Sequence, residues 1–227
     1  MDFWYRTVIA ILKVYTSLFI RDIHVCGEEN IPSGPKIIVA NHPNATDGFM
    51  LPFVFHEKLH FLIQDIVFDT PIIGKLLTYA DQIPVIAGKG RQALAVAKEI
   101  LIEGGSVVIF PEGRLNNDVG LHRAGIGAAM LAVKTGAPML PLGVYVPPES
   151  LRTFKANIED RISYSRWQMG GTCFIRIGQP MQMKWPGKKY GNLRQLTDQI
   201  MIQINELVSQ AKFDADDEGK PVVSSVR

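Results

Sequence analysis

The sequence predicts an α/β fold, a mostly parallel central sheet flanked by helices. Three observations carry this expectation. Short apolar runs rich in β-branched residues alternate with longer runs of helical spacing along the chain. Glycines stand where the helical runs should stop, as Gly104-Gly105 and Gly136 do. The runs Ile37-Ile38-Val39-Ala40 and Ser106-Val107-Val108-Ile109-Phe110 each end in a polar cluster, and in open α/β sheets the ligand site lies at the carboxyl ends of strands.

Taken in order, the first element is a helix. Between Asp2 and Ile20 the polar residues Asp2, Arg6, Lys13, Thr16 and Ser17 fall on one narrow stripe at helical pitch, while Phe3, Trp4, Val8, Ile11, Tyr15 and Leu18 cover the rest. Lys13 interrupts the run, which falls short of the roughly 20 apolar residues a membrane span needs. A secretory signal would want basic residues before an unbroken apolar core and a small-residue cleavage site, and neither is clear here. Residues 1–21 are therefore expected to form an amphipathic helix lying in a membrane interface, with capping of the protein's own core as the alternative. Strands are expected at Ile23 to Cys26, Lys36 to Ala40, His60 to Ile63, Ile83 to Ile86, Val107 to Phe110, Met139 to Tyr145 and Phe174 to Ile177. Helices are expected at Asp47 to Phe55, Ile72 to Tyr79, Gln92 to Glu103 and Gly125 to Thr135. The last helix is the clearest, because Leu193, Leu196, Ile200, Ile204 and Leu207 keep helical spacing after Asn192 as a cap. Residues 22–212 then make one catalytic domain, and 213–227 a mobile acidic tail.

Composition agrees with one folded domain and excludes some partners. At 227 residues, with 47% apolar and 20% charged, the chain can bury a sizeable core. Its formal charge of +2 hides a split, since residues 1–212 carry 22 basic and 18 acidic groups while the tail is acidic. That bias suits anionic lipid surfaces or phosphorylated ligands and is far from a nucleic-acid signature. Cys26 and Cys173 have no metal or redox spacing and suit a reducing cytoplasm, and the chain is expected to be peripheral or monotopic on the cytoplasmic face of a membrane.

The first polar cluster is Asn41-His42-Pro43-Asn44-Ala45-Thr46-Asp47. Five residues turn an ideal helix about 140° past a full revolution, so His42 and Asp47 cannot share one helical face. Pro43 pushes His42 out of the helical region, and a helix starting near Thr46 lets Asp47 reach back. A carboxylate on one imidazole nitrogen fixes the tautomer and leaves the other nitrogen to take a proton from an alcohol. A helix cap followed by a buried histidine is the bland alternative. The second cluster, Pro111-Glu112-Gly113-Arg114, sets a carboxylate and a guanidinium around a glycine directly after the other strand. If the two strands are parallel neighbours, the clusters converge.

With these blocks the chain resembles the glycerolipid acyltransferase family, the 1-acylglycerol-3-phosphate O-acyltransferases and their relatives. Asn41 to Asp47 is similar to the family's Asn-His-x4-Asp block, and Phe110 to Arg114 to its Phe-Pro-Glu-Gly block. Ala137-Pro138-Met139-Leu140-Pro141-Leu142 resembles its late proline-containing strand, Pro71 to Val85 a middle block, and Gly27-Glu28-Glu29-Asn30-Ile31-Pro32 its lead-in. The resemblance implies transfer of a fatty acyl group from a thioester, acyl-CoA or acyl carrier protein, to a hydroxyl of a lysophospholipid or glycerol phosphate. Such a step serves phospholipid biosynthesis or remodelling, works at a membrane lipid surface, and uses no cofactor or metal. It makes His42 the general base and Asp47 its orienting partner, with Glu112, Gly113 and Arg114 binding the acceptor and Arg114 suited to a phosphate by its planar fork.

Two departures stand out. Many members carry Thr or Ser between the glycine and the arginine, whereas Arg114 follows Gly113 directly. Where the family has an arginine after a short strand, this chain reads Ile83-Pro84-Val85-Ile86-Ala87, so Lys89 or Arg91 would have to substitute, unless both are a solvated helix start. Gln64 stands near a common lysine. A rival motif is His56-Glu57-Lys58-Leu59-His60, which matches the zinc-hydrolase pattern His-Glu-x-x-His. It requires one helix through both histidines, yet His60-Phe61-Leu62-Ile63 reads as a strand. A non-catalytic lipid-binding relative is the third reading.

Overall fold

Ile37, Ile38, Val39 and Ala40 are buried on both faces of one short strand, and the rest of the molecule is arranged around it. The computed structural model describes residues 3–115, 123–158, 161–184 and 191–218. In chain order the elements are α1 (Phe3–Phe19), β1 (Asp22–Cys26), β2 (Ile37–Ala40), α2 (Asp47–Val54), β3 (Leu59–Gln64), α3 (Ile73–Tyr79), β4 (Ile83–Val85) and α4 (Gly90–Ile102). There follow β5 (Ser106–Ile109), α5 (Gly127–Thr135), β6 (Met139–Tyr145), β7 (Leu151–Ile158), β8 (Arg161–Gln168), β9 (Thr172–Ile177) and α6 (Gly191–Glu218).

The sheet runs β1, β9, β6, β2, β5, β3, β4. Every pairing in it is parallel except β6 with β9, so the expected mostly parallel sheet is present with one reversal. Ile38 pairs with Val108 on one side and Leu140 on the other, which aligns the carboxyl ends of β2, β5 and β6. Alternation then sorts side chains into two cores. Ile37, Val39, Val107 and Met139 face α4, α5 and α6, where Ala93, Ala97 and Leu101 make one stripe at four-residue spacing. Ile38, Ala40, Val108 and Leu142 face Met50, Leu51 and Val54 of α2.

Gly143 lets α6 lie directly on β6. A Cβ built there would meet the backbone C of Leu207 and N of Val208 at 2.3 Å. At the amino ends of the strands, Lys36 is 1% exposed, and its ammonium donates to Glu57 Oε1 at 2.5 Å and to Ser106 Oγ at 3.4 Å.

Two expectations need correction. The stretch from Phe213, expected as a mobile tail, is helical as far as Glu218, and the Arg176 guanidinium on β9 binds the Asp214 carboxylate through two of its nitrogens, Nε at 2.6 Å. That pairing holds the Asp214 carboxyl below its ordinary range. Residues 219–227 of the expected tail lie outside the described residues. The second correction is the antiparallel hairpin β7–β8, which falls in a stretch without assigned elements.

Helix α1 packs on α2 and α3. Tyr5 is buried and its oxygen accepts the backbone N–H of Leu59 at 3.1 Å, Trp4 stacks on Tyr79, and the Tyr15 hydroxyl donates to the Gln168 carbonyl. Its outer side is also apolar: Phe3, Ile11, Val14 and Leu18 are exposed, as are Ile72 and Ile73 at the start of α3. No helix among the described residues is long and apolar enough to cross a membrane.

Candidate active site

Asn41 ends β2 and fixes where the chain goes next. Its side-chain amide exchanges two hydrogen bonds with the backbone of Val144, both 2.8 Å, and so stands in for one more strand residue. The chain then leaves the sheet, His42 lies outside regular structure, and α2 starts at Asp47, in keeping with a residue that precedes a proline. His42 Nδ1 lies 3.2 Å from Asp47 Oδ2, so a proton on Nδ1 is donated to the carboxylate and Nε2 is the basic nitrogen. The imidazole is stacked on the Phe110 ring, centroids 4.0 Å apart and planes 10° apart, which fixes its orientation.

The carboxylate side chain is 1% exposed and the imidazole 20%. Burial pushes the Asp47 carboxyl above its ordinary range. Against burial act the hydrogen bond and charge of His42, the backbone N–H of Asn44 at 2.8 Å, and the charge of Arg166. Asn44 also donates its side-chain amide to Asp47 Oδ1, and its own oxygen accepts the Thr46 N–H at 2.9 Å and the Thr46 hydroxyl at 2.6 Å. Three donors on one buried carboxylate keep it an acceptor.

The second cluster meets the first. The backbone N–H of His42 donates to Glu112 Oε1 at 3.3 Å, and Glu112 is buried. The turn carrying it closes when the Gly113 N–H reaches the Phe110 carbonyl at 3.0 Å, with Gly113 at φ +68°, a backbone conformation that favours glycine. Gln64, at the end of β3, donates its amide to the Gly113 carbonyl at 3.4 Å. Arg114 follows, exposed to solvent. Lys89 and Arg91 are exposed at the start of α4, which follows edge strand β4, with β5 and β3 between β4 and β2.

The zinc-hydrolase pattern does not form. Helix α2 stops at Val54, His56 sits in the connection, and His60 is on β3 with Nδ1 at 2.9 Å from the Asp81 carbonyl oxygen, while Glu57 is held by Lys36. Among the described residues, His24, Cys26 and Asp214 bring potential metal ligands within 4.8 Å of one another, on edge strand β1 and α6. The carboxylate of that group is already clasped by Arg176, whose positive charge opposes a cation.

Sequence reasoning singled out His42, Asp47 and Glu112 because each is local to a strand end, and the structure brings the three together. It missed the bracing by Asn44, which the Asx pattern before the helix signals. It also missed Arg166, whose Nη2 donates to the Pro43 carbonyl at 2.9 Å from 123 positions away.

An imidazole held by a buried carboxylate thus stands at the carboxyl ends of parallel strands, where open α/β sheets place their ligand sites. The family model described as Acyltransferase matches residues 22–145, more than half of the chain, and the chain belongs to that family. A Mycobacterium tuberculosis protein named only as uncharacterized is 32% identical over 154 residues, 60% of this chain and 41% of that protein, so less than half of its length is matched. The 1-acyl-sn-glycerol-3-phosphate acyltransferase of Pseudomonas aeruginosa is 28% identical over 164 residues, 69% of this chain and 62% of that one. The crystal structure of the 1-acyl-sn-glycerophosphate (LPA) acyltransferase PlsC from Thermotoga maritima superposes with a TM-score of 0.68 at 25% identity, covering 92% of this chain and 79% of that one.

Proposed function

We propose that this chain moves a fatty acyl group from an acyl thioester, acyl-CoA or acyl carrier protein, to a hydroxyl of a lysophospholipid or glycerol phosphate. The observation that carries the reading is the His42–Asp47 pair: a partly exposed imidazole whose Nδ1 edge is held by a buried carboxylate, with Glu112 on the backbone N–H of the same histidine. His42 Nε2 takes the acceptor's hydroxyl proton as its oxygen bonds to the thioester carbonyl carbon. The adduct then collapses, the C–S bond breaks, and the imidazolium returns the proton to the departing thiolate. Asp47 keeps Nδ1 protonated throughout and stabilises the transient positive charge. Relatives named as 1-acyl-sn-glycerol-3-phosphate acyltransferases support a phosphate-bearing acceptor. Exposed Arg114, beside the Glu112 turn, has the planar donors to bind it.

The test is thiol release with donor and acceptor varied separately and the product identified by mass spectrometry. Release that depends on a lysolipid or glycerol phosphate and is unchanged by a chelator is expected. Arg114→Ala raises the acceptor KM by about tenfold or more, as loss of a charge-assisted contact does, with donor KM nearly constant and Arg114→Lys intermediate. A selective rise in donor KM would move Arg114 to the thioester side.

The exposed apolar face of α1 supports work at a membrane interface on its cytoplasmic side, as a peripheral or monotopic protein. Ile11 and Leu18 are exposed, so Ile11→Glu with Leu18→Glu should leave the fold intact and weaken sedimentation with anionic vesicles. Undiminished vesicle binding would return α1 to a core cap alone.

A further inference from the structure

We infer that Arg166, on hairpin strand β8, is a positioning residue for the general-base pair: its guanidinium fixes the loop between His42 and Asp47 and presents its charge to their carboxylate. The inference rests on the reading of His42 as the base. It starts from a loop that has no regular structure of its own. Between His42 and Asp47 the chain relies on contacts from elsewhere, and the β7–β8 hairpin supplies them. The Ala45 N–H donates to the Arg166 carbonyl at 2.7 Å. Arg166 Nη2 donates to the carbonyl of Pro43, the residue next to His42. The Gln168 N–H donates to Thr46 Oγ1 at 3.3 Å, and the Thr46 hydroxyl in turn donates to the Asn44 oxygen. Asn44 then holds Asp47, so the hairpin is linked to the carboxylate through three consecutive hydrogen bonds.

Two properties separate Arg166 from an ordinary brace. Asn44, Thr46, Asp47 and Gln168 are all 1% exposed, so the guanidinium's charge acts on the carboxylate where water screens it weakly. It also works in the direction that keeps Asp47 ionised, against the pull of burial. The other groups facing the pair are Glu112, on the His42 N–H; Cys173 of β9, whose burial pushes its thiol up and keeps it neutral; and Tyr15 of α1, likewise raised by burial. Among the described residues facing the pair, Arg166 brings a permanent positive charge to Asp47.

The experiment measures kcat, both KM values and the acid limb of the kcat profile in Arg166→Met and Arg166→Lys, with His42→Ala alongside. Without the positive charge, one of the groups that hold the Asp47 carboxyl ionised against burial is lost. The acid limb of Arg166→Met therefore moves to higher pH. Its kcat falls about tenfold while both KM values stay within about twofold, the pattern of a lost transition-state contribution. Arg166→Lys folds, keeps the wild-type acid limb, and shows a reduced kcat because an ammonium lacks the fork. An unmoved acid limb in a folded Arg166→Met overturns the inference in favour of a plain brace, and a selective KM rise overturns it in favour of a substrate contact. If Arg166→Met does not fold, Arg166→Lys decides: wild-type kcat there overturns the inference. An active His42→Ala would instead remove the general-base reading itself.

Discussion

In His42→Ala, thiol release falls by about two to four orders of magnitude, the range that loss of a positioned general base produces. The fold survives, because the imidazole is partly exposed and its main packing contact is the stack on Phe110. Far-UV circular dichroism and melting temperature should match wild type within error. Retention of more than about a tenth of wild-type kcat would take His42 out of the chemistry, since a general base contributes far more than that.

Gly143→Ala is the second large effect, and it appears in stability. The added methyl would stand 2.3 Å from the backbone of Leu207 and Val208, a separation that no rotamer relieves because the obstructing atoms are main chain. Helix α6 must shift off β6, and overpacking of this kind costs about 1–3 kcal/mol or more. For a chain of this size that lowers the melting temperature by several degrees, at about 2–4 °C per kcal/mol. The substitution lies next to the Val144 backbone that holds Asn41, so some loss of kcat should accompany it. An unchanged denaturation midpoint would mean that α6 does not rest on β6 as described.

What could be read from the residues was what is local. Strands β2 and β5 announce themselves because burial on both faces demands unbroken apolar runs, and Pro43 fixes the geometry of His42 and Asp47 within a few residues. The β7–β8 hairpin carries no such mark. Arg152, Thr153, Phe154 and Lys155 are all exposed, so no apolar alternation was imposed on that stretch. The end of α6 was misjudged for a related reason: an acidic segment looks solvated until Arg176, 38 positions earlier, is seen to bind Asp214.

The ion pair of Lys36 with Glu57, joined by Ser106, lies where β2, β3 and β5 begin, whereas His42, Glu112 and Gln64 gather where those strands finish. Structural reserve and reactivity therefore occupy opposite poles of one sheet. Changes in the loops at the pole of His42 therefore need not draw on the contacts that keep the far pole closed. For protein engineering, the Lys36 pole is the anchor to leave untouched, and so is the β7–β8 hairpin, whose Arg166 and Gln168 hold the loop between His42 and Asp47.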